Sequence, residues 1–243
     1  MKTRSLDLPR LGSDPESPFP DPLHARHPEG LVAWGGDLSL PRLLNAYRKG
    51  IFPWFEPESI MLWWSPDPRA VMIPGRTRLS RRLRRELRNG SHTFTVDRAF
   101  EQVIRRCGAE RADQEGTWIT PEMIDAYCAL HRAGHAHSVE VWHGDELTGG
   151  IYGVALGKLF FAESKFHGRS NASKLALAGL LRCLESWEFL ALDCQIWNPH
   201  LERLGVRLLG REDFCHLTRY ATAQPDPVGS WSERASGVDF RDW

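Results

Sequence analysis

Residues 138–164 read SVEVWHGDELTGGIYGVALGKLFFAES. Ser138 to Trp142 alternates as S-V-E-V-W, the two-residue period of a strand whose successive side chains point to opposite faces. His143-Gly144-Asp145 supplies a turn, and ELTGGIYGVALGKLFFAES continues as two more strands broken near Gly157. Strands joined this tightly are antiparallel, because a parallel return needs a crossover of about a dozen residues. The stretch predicts an antiparallel meander.

The segments on either side of it read mostly as helices. Downstream, Asn171 or Ser173 caps a helix with Leu177, Leu181, Leu184 and Trp187 along one side, and FLALDCQIW (Phe189–Trp197) follows as a strand. A short helix from Pro199 to Gly205 and a last one near Asp213 to Tyr220 complete that half. Upstream, Thr120-Pro121 opens a helix ending at Gly134, and Asp97 to Cys107 suits another with Phe100, Val103, Ile104 and Cys107 on one face. A basic helix is expected from Ser80 to Arg88. Ser39 caps a further one, with Pro41 in its first turn, Leu40, Leu43, Leu44 and Tyr47 at helical spacing, and Gly50 as its stop. Prolines crowd residues 1–28 too closely for helix or central strand, so that stretch is an extended lead-in. The aromatic run IFPWFEPESIMLWWSPDPRAV joins a small N-terminal unit to a larger C-terminal one and breaks near Pro66 to Pro68. The fold class is α+β, with no internal repeat.

At 243 residues the chain can bury one large core with a small satellite. Lys plus Arg and Asp plus Glu number 31 each, so global charge names no partner. Five cysteines, odd in number and without a C-x-x-C pair, read as reduced core thiols of a cytoplasmic protein. The N-terminus lacks the apolar stretch of a signal peptide, and nothing approaches the eighteen or so apolar residues of a membrane span. Ten tryptophans, some adjacent as in Trp63-Trp64, fill a core or form platforms for flat ligands.

Chemistry could reside in three places. In FLALDCQIW the strand period puts Asp193 and Gln195 on one face among apolar neighbours, where an Asp is costly unless hydrogen-bonded or functional. A buried Asp satisfied by loop amides and a catalytic pair both fit that spacing. Glu163 ends an apolar strand, as an ordinary surface carboxylate or as one facing a cleft. Arg76, Arg78, Arg81, Arg82, Arg84, Arg85 and Arg88 crowd one short element against the lone Glu86. On a helix Arg81, Arg84, Arg85 and Arg88 share a side, either as a solvated face or as a ladder for nucleic-acid phosphates, which arginine grips in bidentate fashion. His131, His135 and His137 lie close together, but Gly134 ends the helix before they could close a metal site and there is no H-E-x-x-H. No Walker loop, G-x-G-x-x-G or G-x-S-x-G is present, so nucleotide hydrolysis, dinucleotide cofactors and the α/β-hydrolase mechanism lack their signals.

Six blocks, in order, resemble the leucyl/phenylalanyl-tRNA–protein transferase family: PEGLVAWGGDLSLPRLLNAYRKGIFPWF, LWWSPDPRAV, TWITPEMIDAYCALHRAGHAHSVEVW, GGIYGVALGKLFFAESKFH, NASKLAL and LDCQIWNPHLERLG. The resemblance runs from about Pro18 to about Leu217. It implies a small N-terminal domain, residues 1–67, and a catalytic domain, 68–243, similar to the acyl-CoA-dependent N-acyltransferase (GNAT-like) fold with a mixed, largely antiparallel sheet. Residues 221–243, QPDPVGSWSERASGVDFRDW included, fall outside the resemblance and are expected to form a mobile tail. Where that wider superfamily has a Gly-rich pyrophosphate turn, this chain has HGRSNASKLAL, which argues against coenzyme A; no cofactor and no metal are expected.

By motif, Asp193, Gln195 and Asn198 resemble the residues that manage the proton of the attacking amine, and Glu163 the acidic residue that meets an acceptor's N-terminal Arg or Lys. Trp54 and Trp118 resemble positions that engage the aminoacyl adenosine, and the arginine run would contact tRNA. The implied activity is transfer of Leu or Phe, with Met a further donor, from aminoacyl-tRNA to the α-amine of N-terminal Arg or Lys. It serves an N-terminal-rule degradation pathway in the cytoplasm; the partners are aminoacyl-tRNA and such proteins, with no membrane, and the expected state is a monomer. Where the family pattern is Gly-Glu-Ser-Met this chain has Ala162-Glu163-Ser164-Lys165, which leaves donor preference open. The rival readings are an N-acyltransferase with another donor or product, and a noncatalytic RNA-binding module, which would need the arginines but not Asp193 and Gln195.

Overall fold

A computed structural model describes residues 8–25, 27–112, 117–226 and 230–243. The first seven residues of the lead-in, and residues 227–229 of the tail, lie outside the described residues. Strands β1 (Arg10–Leu11), β2 (Leu31–Gly35), β3 (Phe52–Pro53) and β4 (Leu62–Trp64) form a small sheet in the order β1-β2-β4-β3, with helix α1 (Leu40–Arg48) between β2 and β3. The lead-in does more than run extended. Its Arg10–Leu11 pairs in parallel with Trp34–Gly35, and Phe19 is buried edge-on to Trp63 at 4.8 Å. Helix α1 starts at Leu40 with Ser39 at its N-cap position and Pro41 in its first turn, as the sequence predicts, but the Ser39 side chain makes no capping bond; Gly50 turns the chain out of the helix at φ +70°. A Cβ there would lie 2.5 Å from the Phe214 ring, so close approach as well as φ requires glycine.

After Pro66–Pro68 the chain enters β5 (Arg69–Met72), α2 (Arg81–Asn89), β6 (His92–Val96), α3 (Phe100–Ala112) and α4 (Pro121–Arg132). The expected meander follows as β7 (Ala136–His143), β8 (Glu146–Leu156) and β9 (Leu159–His167). Then come α5 (Ala172–Ser186), β10 (Ala191–Asp193), α6 (Pro199–Arg203), β11 (Arg207–Leu209), α7 (Arg211–Thr222) and α8 (Trp231–Ala235). The large sheet has the order β11-β5-β10-β9-β8-β7-β6 and is antiparallel except at β9–β10. The α+β class and largely antiparallel sheet are as expected.

Strand alternation sorts the core. Val139, Val141, Ile151 and Phe160 pack with Leu177 and Leu181 of α5 and Leu83 and Leu87 of α2. Tyr152, Val154, Phe161 and Phe166 pack on the other face with Ile104 of α3 and Tyr127 of α4. Leu43, Tyr47 and Trp63 belong to that second cluster, so the N-terminal unit shares a core with the large sheet.

Four expectations need correction. The strand expected over Phe189–Trp197 pairs only at Ala191–Asp193; Cys194 N–H then donates to Ala70 O (2.8 Å), and Gln195 turns left-handed at φ +61°. The helix expected from Asp97 starts at Phe100, because Asp97 is used by β7: its Oδ1 accepts Ser138 N–H (2.9 Å) and its Oδ2 pairs with His137 (2.7 Å). Asn171 stands at the N-cap of α5 but makes no capping bond; its Nδ2 donates to Glu86 at 2.9 Å. The tail is docked rather than mobile over residues 230–243. Trp231, 4% exposed, stacks on His137 at 3.9 Å, and Phe240 stacks on Phe94 at 4.8 Å.

Candidate active site

The parallel pair β9–β10 decides where a site can form. Ala191–Asp193 pairs with Leu159–Phe161, after which β10 ends while β9 continues to His167. The wedge between the parted chains opens into a cavity of about 1930 Å³. Its walls are Ala162 to Lys165 of β9, Cys194 to Ile196 with Asn198, the start of α5, and the aromatic hairpin between β3 and β4.

A β-bulge aims the central residue. Tyr152 is opposite Ser164 and Gly153 is opposite Ala162, which leaves Glu163 between two ladder pairs. Its side chain turns toward α1 and α4. Oε1 accepts from Tyr47 Oη at 2.7 Å and from Gln195 Nε2 at 2.9 Å, and Oε2 lies 3.2 Å from Tyr127 Oη. Tyr47 and Tyr127 also share a short hydroxyl–hydroxyl contact. Burial pushes the Glu163 carboxyl up to about 7; the tyrosine hydrogen bonds and Arg69 pull it down, and the Asp193 charge adds to the rise.

Asp193 stands behind this surface. It is fully buried, with Arg69 Nε on Oδ1 (2.8 Å) and Arg69 Nη2 on Oδ2 (2.7 Å), a bidentate clasp. Oδ1 also accepts Gln195 N–H at 2.8 Å, which supports the left-handed turn. Arg69 lies in turn against the rings of Phe52 and Phe214, at 4.8 and 4.5 Å. Gln195 lines the cavity and Asp193 does not. Asn198 lines it too, while its Oδ1 accepts Leu201 N–H at 3.0 Å, as a cap of α6 does.

The aromatic wall includes both tryptophans singled out from the sequence. Trp54 is 43% exposed on the hairpin, tilted against Trp64 at 5.8 Å, and Trp64 Nε1 donates to Trp54 O at 2.7 Å. Trp118 is half-buried on the same cavity. All seven arginines of the basic run are exposed. Arg82 and Arg85 face a groove they share with Ser170 and Asn171, residues that also line the main cavity. Arg88 instead donates to the Trp243 backbone oxygen. The side nearest the cavity is therefore Arg82 and Arg85, not the ladder through Arg88.

Tyr47, Tyr127 and Arg69 were not singled out from sequence. Tyr47 read as an apolar helix position, and the available signal was that a tyrosine on an apolar stripe must find a partner for its hydroxyl. Of the three histidines, His131 and His137 gather with Asp97 within 4.8 Å and His135 does not. His137 Nδ1 is held by Asp97, its Nε2 lies 3.2 Å from Gly134 O, and His131 Nδ1 lies 2.8 Å from Ala136 O. Those contacts account for the cluster as a tie between β7 and its flanking loops.

Residues 71–219 match the family described as Leucyl/phenylalanyl-tRNA protein transferase, and residues 36–67 its N-terminal domain. A relative from Xanthomonas campestris pv. campestris (strain 8004), named Leucyl/phenylalanyl-tRNA–protein transferase, is 52% identical over 233 residues, 95% of this chain and 94% of its own. Relatives of the same name from Solidesulfovibrio magneticus and Shewanella woodyi are 51% and 49% identical, covering 89% and 91% of this chain and 87% and 94% of theirs. A solved GCN5-related N-acetyltransferase-like protein from Streptococcus suis overlaps 67% of this chain and 61% of its own at 12% identity and TM-score 0.33.

Proposed function

The chain belongs to the leucyl/phenylalanyl-tRNA protein transferase family, and from that premise we propose that it joins leucine or phenylalanine from aminoacyl-tRNA to the α-amine of proteins beginning with Arg or Lys. The family is one of aminoacyltransferases. The observation that carries the acceptor half of the proposal is Glu163, a bulged carboxylate on the cavity wall. A cationic side chain entering there gains a charge-assisted hydrogen bond in a poorly hydrated place, whereas a neutral one leaves the carboxyl with nothing in return. Proteins so modified would enter an N-terminal-rule degradation pathway, in the cytoplasm where aminoacyl-tRNA is made.

The donor lies across the wedge. Ile151, Ala162, Leu177, Cys194 and Leu201 offer an apolar pocket suited to Leu, Phe and, as a further donor, Met. Lys165 stands close enough to Cys194 to offset part of the burial that pushes its thiol up to about 12, so a charge borders that pocket. Trp54 and Trp118 supply faces on which the terminal adenine can stack. Arg82 and Arg85 receive phosphates of the same RNA, with Arg76, Arg78, Arg81 and Arg84 beyond them.

In the reaction the α-amine attacks the ester carbonyl, a C–N bond forms, the C–O bond to the ribose breaks, and the ribose oxygen leaves with a proton. The ester is already activated, so no nucleotide needs to be hydrolysed; orientation is the main task and can contribute roughly 7 kcal/mol or more. Gln195 cannot titrate and orients the amine. Asp193, clasped by Arg69, is best suited to hold the Gln195 turn, and a ribose hydroxyl of the tRNA then carries the proton from amine to leaving oxygen. Asn198 keeps α6 and its loop against the site.

The test is transfer of labelled leucine from leucyl-tRNA to a peptide beginning with Arg, beside the same peptide with its amine acetylated. Transfer to the free amine alone is expected. Transfer to neither, with RNA binding intact, would return the protein to an RNA-binding role.

A further inference from the structure

Glu163, Tyr47 and Tyr127 form a closed ring of oxygens. Glu163 Oε1 meets Tyr47 Oη, Tyr47 Oη meets Tyr127 Oη, and Tyr127 Oη meets Glu163 Oε2. Each of these three contacts needs one proton, because two oxygens facing each other through lone pairs alone repel. The two hydroxyls bring only two. Oε1 accepts from both Tyr47 and Gln195, so Oε2 is the oxygen left to carry the third.

We propose that in the empty site this ring holds three protons, one of them on Glu163, and that the cationic acceptor enters by displacing that proton to solvent. One cation replaces one proton, so below neutrality the buried site carries no uncompensated charge before or after the exchange. The inference rests on the acceptor reading above and adds a proton-linked selector to it, with Tyr47 and Tyr127 as positioning residues.

The groups around the ring agree. Tyr47 comes from α1, Tyr127 from α4 and Gln195 from the loop after β10; the Asp193–Arg69 pair faces Glu163 from behind, and Lys165 on β9 lies toward Cys194. Asp193 and Arg69 act on Glu163 with opposite sign and satisfy each other, so neither supplies the missing positive charge. Burial acts in the same direction and keeps the proton on Glu163 up to about neutrality. The tyrosines make the exchange possible: once the proton has gone, both hydroxyls can turn to donate to the anion, and their two oxygens, no longer sharing a proton, move apart. Without one of them the anion has a single hydroxyl donor and forms less readily.

Two measurements test this. The first is the infrared carbonyl stretch of an un-ionised carboxylic acid in the ligand-free full chain, compared with Glu163→Gln. A band present below neutrality, lost as pH rises and missing in the variant, is expected; its absence at every pH would overturn the proton count. The second is calorimetric titration with an Arg-starting peptide in buffers of different ionisation enthalpy. Release of about one proton per peptide is expected below neutrality, falling toward none above it. Tyr47→Phe and Tyr127→Phe should move that release to higher pH and raise the acceptor KM about tenfold near neutrality, with kcat little changed. Proton release identical in wild type and both variants would sink the role given to the tyrosines. An intact band in a protein that transfers nothing to Arg peptides would sink the proposed function and leave the proton count standing. Normal transfer with no band would do the reverse.

Discussion

At the scale of single residues, the two carboxylates of the site have opposite surroundings. Asp193 is clasped by the Arg69 guanidinium; Glu163 is held by two tyrosine hydroxyls and the Gln195 amide. Their consequences for stability differ accordingly. Folding raises the Glu163 carboxyl from an ordinary 4.5 to about 7, so the folded state keeps its proton longer than the unfolded chain. Its contribution is fully present below about 4.5 and is lost as pH rises through about 7, a loss on the order of 3 kcal/mol. Urea unfolding of wild type and Glu163→Gln at acidic and at mildly alkaline pH should show the variant gaining by that amount over this window. A gap that does not change with pH would contradict the burial argument. Glu163→Gln should also weaken Arg and Lys acceptors far more than aminoacyl-tRNA. For the other carboxylate, Arg69→Met leaves a buried unpaired charge and should cost about 3–5 kcal/mol, with much of it restored by adding Asp193→Asn. If the double variant is no more stable than the single one, Arg69 matters by packing on Phe52 and Phe214 instead.

At the scale of elements, the site depends on two interruptions of regular structure: the bulge in β9 and the early end of β10. A continuous β10 would close the wedge. Helix α2 shows how tertiary placement selects among residues that sequence treats alike, since all five of its arginines are exposed but only Arg82 and Arg85 border the groove beside the cavity. Replacing either with Gln should weaken tRNA binding and reduce the slope of log affinity against log salt by roughly 0.7–0.9 for each phosphate no longer neutralised. Arg88→Gln should leave the slope nearly unchanged, because Arg88 is turned to the Trp243 backbone. Equal slopes for all three variants would mean that the RNA crosses the helix elsewhere. Helix α8 is anchored by Trp231 among His137, Phe160, Trp187 and Phe189. Trp231→Ala should cost about 3–5 kcal/mol and expose the tail to proteolysis; a tail that stays protected would show that Phe240 on Phe94 and the Arg182–Asp242 pair suffice.

For the whole molecule, the shared core sets the cooperativity. Tyr47 and Trp63 of the N-terminal unit belong to one apolar cluster with Tyr127, Phe161 and Phe214 of the large one. Tryptophan fluorescence and far-ultraviolet circular dichroism should therefore report one coincident urea transition, and two separated transitions would mean the units fold independently. What is legible along the chain alone is what local rules can carry. These are the meander, from its alternation; α1, α2 and α4, from Ser39 with Pro41, from the basic run and from Thr120-Pro121; and the family, from blocks of residues in order. Glu163, Asp193 and Gln195 also stand out there as polar residues in apolar company. Strands β5, β6 and β11 stayed hidden because short strands bearing Arg, His and Thr are recognisable only by the neighbours that pair with them. It took the folded arrangement to show that Asp193 is clasped by Arg69, 124 positions away, and that Tyr47, 116 positions from Glu163, closes a ring on it. Side-chain periodicity records which face of an element is buried. It holds no information about which residue of another element arrives there, and that meeting sets the charge, the proton count and so the chemistry of the site.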